Sequence, residues 1–576
     1  MDREGLRRAG PEPGSDPGPG SRRVLEAAWS RDRGGGVSVA YNLIDERWIP
    51  VERRSGRIEM IAPAEIAERD DPPLRVASPR PDFDGALLEF LIGLLQTAAA
   101  PATERAWEKE FKEPPPVKVL LKRLDAVRDA FFLDGDGPRF MQDLTVAKDP
   151  KASTEPIGAL LVDRIGESGL SEGPSLFAKP ALFPELGYPA AAAALMAMQT
   201  YAPSGGRGQF TSLRGGGPLT TLIAGDDLWR SAWLNVLPRP EFEARVPGDE
   251  SVDAAPATFP WMARTKAKPP PKSIHPLQHL WGLPRRIRLV FERDARGTCS
   301  VTGARDVPVV RAYLGRPEGT NYKGDFRHPW TPYKLLKPGE PWNPKKASAD
   351  GLPYRDWPQL VTGGEERRPA TVVSYFANSR RRELVPHARL AAFGYAMNNM
   401  KPLRWSRAET PLIATSVLPD QFGADVEALV SASEEIRRTL SFQVKAAWSD
   451  RPGDLDVFDR VNPAFWSRTE PAFFDAVHAL KVALEADDAK ARDAACEAWL
   501  EALHRAALEL FDSLVPLVAD IAAPDLQRIV LARRDLQQFT HPTWPRLRKA
   551  LGLTVDEPVK AKPQKKARNP GKEPHP

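Results

Sequence analysis

The segment Ser204–Trp229, SGGRGQFTSLRGGGPLTTLIAGDDLW, carries six glycines and two arginines in its first fourteen residues. Backbone without side chains can approach a ligand closely or take up positive φ, at an entropic cost. Arginines beside such backbone add the charge that phosphate contact requires, so phosphate or nucleotide binding is the first chemistry to test. No Gly-Lys-Ser/Thr follows the glycines, which excludes a P-loop. The expected order is helix, loop, strand, the reverse of a dinucleotide fingerprint. Two readings stay open on the pattern alone: a flexible connector, or a backbone surface that meets a phosphate or a groove, with Arg207 and Arg214 supplying charge.

Other chemistry-bearing types are sparse. His275 and His279 in HPLQH stand four apart, but Pro276 and the proline-rich flank argue against a regular helix, and no third ligand is evident. The chain has eight histidines and no Ser–His or Cys–His signature, so nucleophilic catalysis has no support. Acid pairs such as Asp454/Asp456 and Asp487/Asp488 read as solvated turns. With Cys299 and Cys496 alone, neither a disulfide framework nor a four-cysteine zinc site is available. No catalytic residue, metal or cofactor is expected.

Basic residues recur on two segments expected to be helical: Arg437, Arg438 and Lys445 on one, Arg528, Arg533 and Arg534 on the other. They form either solvated faces or a shallow track for a nucleic-acid backbone. GYAMNNMKPLRW, Gly394–Trp405, is an ordinary turn, or a loop offering Met400 as an apolar wedge beside groove-reading amides.

The elements that must hold these residues follow from pattern. VAYNLIDERWIPVERRSGRIEMI reads as two strands joined at Ser55-Gly56. Asp84 is the expected N-cap of a helix whose Leu87, Leu91, Leu94 and Leu95 share one face. AAAAALMAMQTYA is a second helix running into the glycine tract, PLTTLI a strand, and Asp227 a cap for LWRSAWLNVL. Residues 238–370 alternate proline clusters with short strands such as RRIRLVFER. Beyond about residue 410 come amphipathic segments at about 420–447, 470–486, 489–518 and 524–550. In the third, Trp499, Leu503, Ala506, Leu510 and Leu514 recur at helical spacing. The expected fold is α+β: a large mixed α/β N-terminal domain followed by a C-terminal antiparallel four-helix bundle.

The 576 residues suggest two or three domains. Expected boundaries are 1–36, a disordered extension; 37–405, the mixed α/β domain; 406–555, the bundle; and 556–576, a basic disordered tail. The net charge of +5 resides largely in that tail, where Pro558–Pro576 holds six Lys/Arg against one Glu. The body is nearly neutral, so any nucleic acid must meet local patches. No apolar run is long enough for a membrane span and no signal peptide is expected, which fits a reducing cytoplasm.

Five stretches in order, YNLIDERWIPV, LLEFLIGLLQ, FFLDGDGPRFMQD, SLRGGGPLTTLIAGDDLWRSAWLNVL and FGYAMNNMK, make the chain resemble the CasA family, the large subunit of the type I-E CRISPR surveillance complex Cascade. The likeness covers about residues 40–550. It implies a nonenzymatic protein that reads the protospacer-adjacent motif of double-stranded target DNA. It further implies help in opening the duplex, hold on the displaced strand, and recruitment of a helicase-nuclease. Guide RNA and the other Cascade subunits are the implied partners.

The resemblance also places the family's loops. The glycine loop that meets the duplex from the minor groove falls on Ser204, Gly205, Gly206, Arg207 and Gly208, where bare backbone suits a narrow groove. The mobile loop falls on SLFAK, with Phe177 as anchor and Lys179 where some members use asparagine. The wedge falls on Asn398, Asn399, Met400 and Lys401. Arg316 and Lys323 are candidates for a further groove-contacting lysine. The family's cysteine-rich knuckle is reduced to Cys299, so no zinc is expected. The alternative from another class is a protein- or RNA-binding scaffold without DNA sequence recognition.

Overall fold

The computed structural model describes residues 40–163, 182–204, 208–252, 254–264, 267–349, 351–398, 401–454, 461–515 and 523–555. The expected terminal extensions, 1–36 and 556–576, lie outside them. The chain divides into two compact units, the first ending at Gly423 and the second beginning at Ala424.

The first unit opens with the anticipated hairpin. Strands β1 (Ile49–Arg53) and β2 (Ile58–Ile61) pair antiparallel, Gly56 supplies positive φ at the turn, and β3 (Pro73–Val76) joins the other edge of β1. Helix α1 (Pro81–Ala98) then starts three residues earlier than Asp84. Proline at the first helical position costs no hydrogen bond, because that N–H would be unpaired anyway. Asp84 is therefore not the cap; its carboxylate instead accepts the Ser78 N–H at 2.7 Å. Leu87, Leu91, Leu94 and Leu95 are buried as their spacing requires. Phe90 of α1 meets the rings of Trp48, Phe131, Phe140 and Trp281 edge-on, with centroids 5.1–6.1 Å apart.

Next come β4 (Ser153–Pro156), helix α2 (Tyr188–Tyr201), β5 (Thr220–Ala224) and α3 (Leu228–Trp233). Helix α2 is buried from Ala190 to Tyr201, the position expected of a helix apolar all round. Asp227 caps α3 by accepting the Arg230 N–H at 2.7 Å. Strands β6 (Arg286–Val290) and β7 (Ala312–Arg316) pair antiparallel, with β4 on the far edge of β7. A long hairpin, β8 (Arg389–Asn398) and β9 (Lys401–Pro411), closes the unit, and β8 pairs with β5 through Phe393↔Thr220 to Arg389↔Ala224. The expected border after Trp405 falls inside β9, whose Ser406 lies opposite Gly394; ladder pairing holds residues 406–411 in the first unit.

The second unit is helical. Its long helices are α4 (Pro419–Trp448), whose first residues precede the border at Gly423, α5 (Val461–Glu485), α6 (Ala489–Leu514) and α7 (Ala523–Thr540), followed by a short helix at Pro545–Ala550. Helix α5 begins well before residue 470 and runs through Pro471. Its buried Val461, Phe465, Trp466, Phe473, Val477 and Leu480 continue one apolar face on both sides of the proline, and that burial outweighs the lost hydrogen bond. Asp488 caps α6 at two backbone N–H groups, and Trp499 Nε1 of α6 donates to Leu429 O of α4 at 3.0 Å. Among the described residues no helix is long and apolar enough to cross a membrane.

Candidate nucleic-acid interface

The glycine tract has two halves with different fates. Its second half, Gly215–Gly217, packs under the hairpin. Gly217 has φ +60°, and a Cβ there would stand 2.5 Å from Tyr395 O and 2.6 Å from Met397 Cγ of β8. Its N–H donates to Tyr201 O at 3.1 Å, so the tract is tied to the end of α2 as well. Gly217 thus combines close packing with positive φ, and only glycine meets both conditions.

Arg214, expected to offer charge to a ligand, is instead 2% exposed. Its Nη2 meets Glu89 Oε2 of α1 at 2.6 Å, and Nη1 donates to Thr220 Oγ1 at 2.9 Å. Tyr201 and Thr220 hydroxyls donate to the other Glu89 oxygen at 2.8 and 2.7 Å. The pair is thus fully hydrogen-bonded in the interior, where a charge without a partner would be expensive. Arg214 belongs to the framework, not to the surface.

The first half, Ser204–Gly208, is held by its ends. Ser204 is exposed and Gly208 half-buried, while Gly205, Gly206 and Arg207 lie outside the described residues. Arg285, only 7% exposed, grips both sides of the loop. Its Nε donates to Phe210 O at 2.7 Å, Nη1 to Gln209 Oε1 at 2.9 Å, and Nη2 to Pro203 O. Gln199 of α2 fixes Arg285 in turn through its main chain, at 2.9 and 3.0 Å. Gly208 has φ +80°, and its carbonyl accepts the Glu318 N–H at 2.7 Å. A Cβ at Gly208 would lie 2.9 Å from that same nitrogen, so this glycine is required by the neck of the loop.

The hairpin brings the expected wedge beside this framework. Asn398 and Lys401 form the last pair of the ladder, and both are exposed. Asn399 and Met400, the two residues joining them, lie outside the described residues. Below, Ala347 bridges Ala396, Pro218 bridges Lys346, and Gly217 sits against Met397. One body of packed backbone therefore carries the bases of both loops. Arg404 is exposed on β9 and has no ion pair among the described residues.

The remaining candidates divide. Phe177 and Lys179 fall outside the described residues. Arg316 adjoins the Pro317-Glu318 segment that packs on Gly208, but its guanidinium is committed to Asp149 at 3.3 Å and Glu318 at 3.6 Å. Lys323 is exposed on the same loop, which Tyr322 anchors by accepting the Leu283 N–H at 3.0 Å. In the second unit, Arg437 pairs with Glu434, Arg528 with Asp450 and Asp525, Arg533 with Asp512, and Arg534 with its neighbour Asp535. Arg438 is exposed and Lys445 half-buried. A track of unneutralised charge is not what these helices present; four of the six candidate cations already face carboxylates.

His275 and His279 do not converge. His275 caps a short 3₁₀ turn, Pro276–Leu280, where its Nδ1 accepts the Leu277 N–H, and His279 lies within that turn with its Nδ1 3.0 Å from Pro276 O. Burial pushes the His279 pKa down to about 4. No group of three or more His, Cys, Asp or Glu side chains is placed to hold a metal ion among the described residues. Cys299 and Cys496 are both buried.

Comparison with known proteins follows the same outline. The family model of CRISPR-associated protein Cse1 matches residues 42–510. A stretch of 219 residues is 30% identical to CRISPR-associated protein CasA/Cse1 of Thermus thermophilus and covers 36% of this chain and 41% of that relative, less than half its length. A solved structure of Thermus thermophilus CasA (Cse1) superimposes with TM-score 0.64 at 21% identity, over 89% of this chain and 99% of that one. Thermobifida fusca Cse1 gives 0.65 at 16% identity, over 89% and 99%. A chain of a CRISPR RNA-guided surveillance complex gives 0.60 at 17% identity, over 87% and 100%. At such identities the structural likeness is one of fold.

Proposed function

This chain belongs to the CRISPR-associated protein Cse1 family, and from that premise we propose that it is the large, nonenzymatic subunit of a cytoplasmic RNA-guided surveillance complex. It reads the protospacer-adjacent motif of target double-stranded DNA, helps part the strands, stabilises the displaced one, and recruits a helicase-nuclease. Its partners are the guide RNA and the other subunits of the complex.

The observation that carries this reading is the clamped neck of the glycine loop. Arg285 and Glu318 take up the carbonyls of Pro203, Phe210 and Gly208 on either side, so a very short segment is left between fixed ends. A segment with two glycines and one arginine presents backbone amides and a single cation, which suits a groove about 6 Å wide. The hairpin carrying Asn398 and Lys401 rises from the same framework, as strand parting next to a recognised motif requires.

The test uses the assembled complex with duplexes that carry or lack the adjacent motif. Gly205, Gly206 and Arg207 are replaced together by bulkier residues, and Gly208 is kept because the fold needs it. Target binding is expected to be lost while the complex still assembles. Normal target finding by the substituted complex overturns the assignment of the loop.

A second reading, a scaffold without DNA recognition, draws on the second unit. There Phe442, Ala446 and Leu531 line a groove of about 390 Å³ between α4 and α7, and Phe442 is 56% exposed. With the neighbouring arginines neutralised, that face suits another subunit of the complex better than a phosphate backbone. A gel-shift comparison of motif-bearing and motif-free duplexes separates the two readings.

A further inference from the structure

Residues between Tyr333 and Arg368 build a small antiparallel sheet in which Tyr333 lies opposite both Pro344 and Arg368. Here Arg368 places its guanidinium over the Trp342 ring, 3.8 Å from the centroid. Arg368 is exposed, Trp342 is half-buried, and no carboxylate pairs with Arg368 among the described residues. A second guanidinium stands nearby. Burial is the larger cause that lowers the Arg368 pKa, and the like charge of Arg327 is the next. Arg327 reaches a single acid, Asp325, at 2.9 Å, while its Nε is buried without a hydrogen-bond partner. Arg368 thus stacks on an indole without a carboxylate partner of its own among the described residues, while Asp325 is engaged by Arg327. Guanidinium forks hold phosphate, and planar guanidinium and aromatic faces stack on unpaired bases.

The place of this cluster matters. The strand leaving Trp342 runs straight to the hairpin, where Ala347 bridges Ala396 and Ser348 O accepts the Ser406 hydroxyl at 3.3 Å. An extended chain from Trp342 to Ala347 spans at most about 17 Å, which is about five stacked-base spacings of 3.4 Å. Exposed Lys346 and Arg404 lie along the way.

We propose that Trp342, Arg368 and Arg327 form a platform for single-stranded DNA: an unpaired base stacks on the Trp342–Arg368 pair and the adjoining phosphate is held by the two arginines. That the strand comes from a duplex parted at the hairpin rests on the proposed function above; the platform's affinity for an unpaired strand does not.

The experiment uses the purified full chain and a short fluorescein-labelled oligo(dT), followed by anisotropy at low salt. Trp342→Ala and Arg368→Gln are each expected to weaken binding about five- to tenfold, and Trp342→Phe to keep most of the affinity. Arg305→Ala, an exposed cation elsewhere, measures the loss of one nonspecific charge and is expected to cost less than twofold. The variant replaced at Gly205, Gly206 and Arg207 is expected to lose no more oligo(dT) affinity than Arg305→Ala, so failure of duplex reading and failure of the platform are told apart. Thermal melting reports whether each variant is folded; should Trp342→Ala unfold, Arg368→Gln carries the test. The proposal is overturned if Arg368→Gln loses no more than Arg305→Ala, or if a folded Trp342→Ala binds as well as the parent. It also fails if Trp342→Phe loses as much as Trp342→Ala, which reports packing rather than stacking. Binding of oligo(rU) without oligo(dT) rejects DNA as the ligand.

Discussion

Arg285 Nε donates a 2.7 Å hydrogen bond to the carbonyl of Phe210, a residue 75 positions earlier in the chain. The same guanidinium holds Gln209 and Pro203. The residue that leads into strand β6 is thereby joined to the chain on both sides of the glycine loop, at Pro203 and at Gln209-Phe210.

Removing that guanidinium strands acceptors on both sides of the neck. Arg285→Ala is expected to cost about 2–4 kcal/mol of stability, the usual scale for several buried charge-assisted hydrogen bonds. Motif-dependent duplex binding by the assembled complex is expected to fall at least tenfold, while binding to a motif-free duplex changes little. Arg285→Lys, which restores one contact, should lie between. Equal loss on both duplexes means that the clamp supports the fold and not the reading.

Glu89 and Arg214 make the opposite case. Arg214→Ala leaves a buried carboxylate unpaired and is expected to destabilise by about 3–5 kcal/mol, read by denaturant unfolding. Replacing both partners with apolar residues of similar size, Glu89→Leu with Arg214→Met, should cost much less. A folded double variant should keep the parent's salt dependence of DNA binding, because Arg214 has no reach to the surface.

Met400 joins the last ladder pair of the hairpin in the sequence. Met400→Gly is expected to slow strand opening more than initial duplex binding, as followed by a fluorescent base analogue placed next to the motif. An apolar wedge acts on unstacking and leaves the first encounter to other contacts. Equal effects on the two steps contradict a wedge.

His279 has its folded-state pKa lowered to about 4 by burial, below its ordinary value near 6.5. The neutral ring is the form the fold accepts. Its contribution is complete above about pH 6.5 and is lost as the pH falls toward 4, by about 3 kcal/mol at most. Thermal melts across that window should show the midpoint dropping on acidification. His279→Leu should flatten the fall only in part, since burial lowers the pKa of His328 as well. No change of slope in the variant rejects this assignment.

Local pattern proved sufficient wherever a single face or cap decides an element. The three- and four-residue spacing of Trp499, Leu503, Ala506 and Leu510 predicted a buried stripe, and Asp227 predicted its own cap. Pattern failed where burial overrides a local rule. Asp84 is displaced as a cap by Pro81, and Pro471 is carried inside a helix by the apolar residues on both sides. The border of the first unit moved past β9 because ladder pairing with β8 is invisible from composition.

Family and general architecture were carried by ordered local stretches of the sequence, since apolar periodicity, caps and motif residues act over a few neighbours. The meaning of individual charges was not. Arg207 and Arg214 stand in one glycine-rich segment and read alike, yet Arg214 ends in the core because α1 places Glu89 against it. Arg285 carried no mark at all in PRRIRLVF, and became the clamp of the loop only when β6 was laid beside α2. Such roles are set by which distant partners the packed chain brings within about 3 Å, and a one-dimensional string holds no such distances.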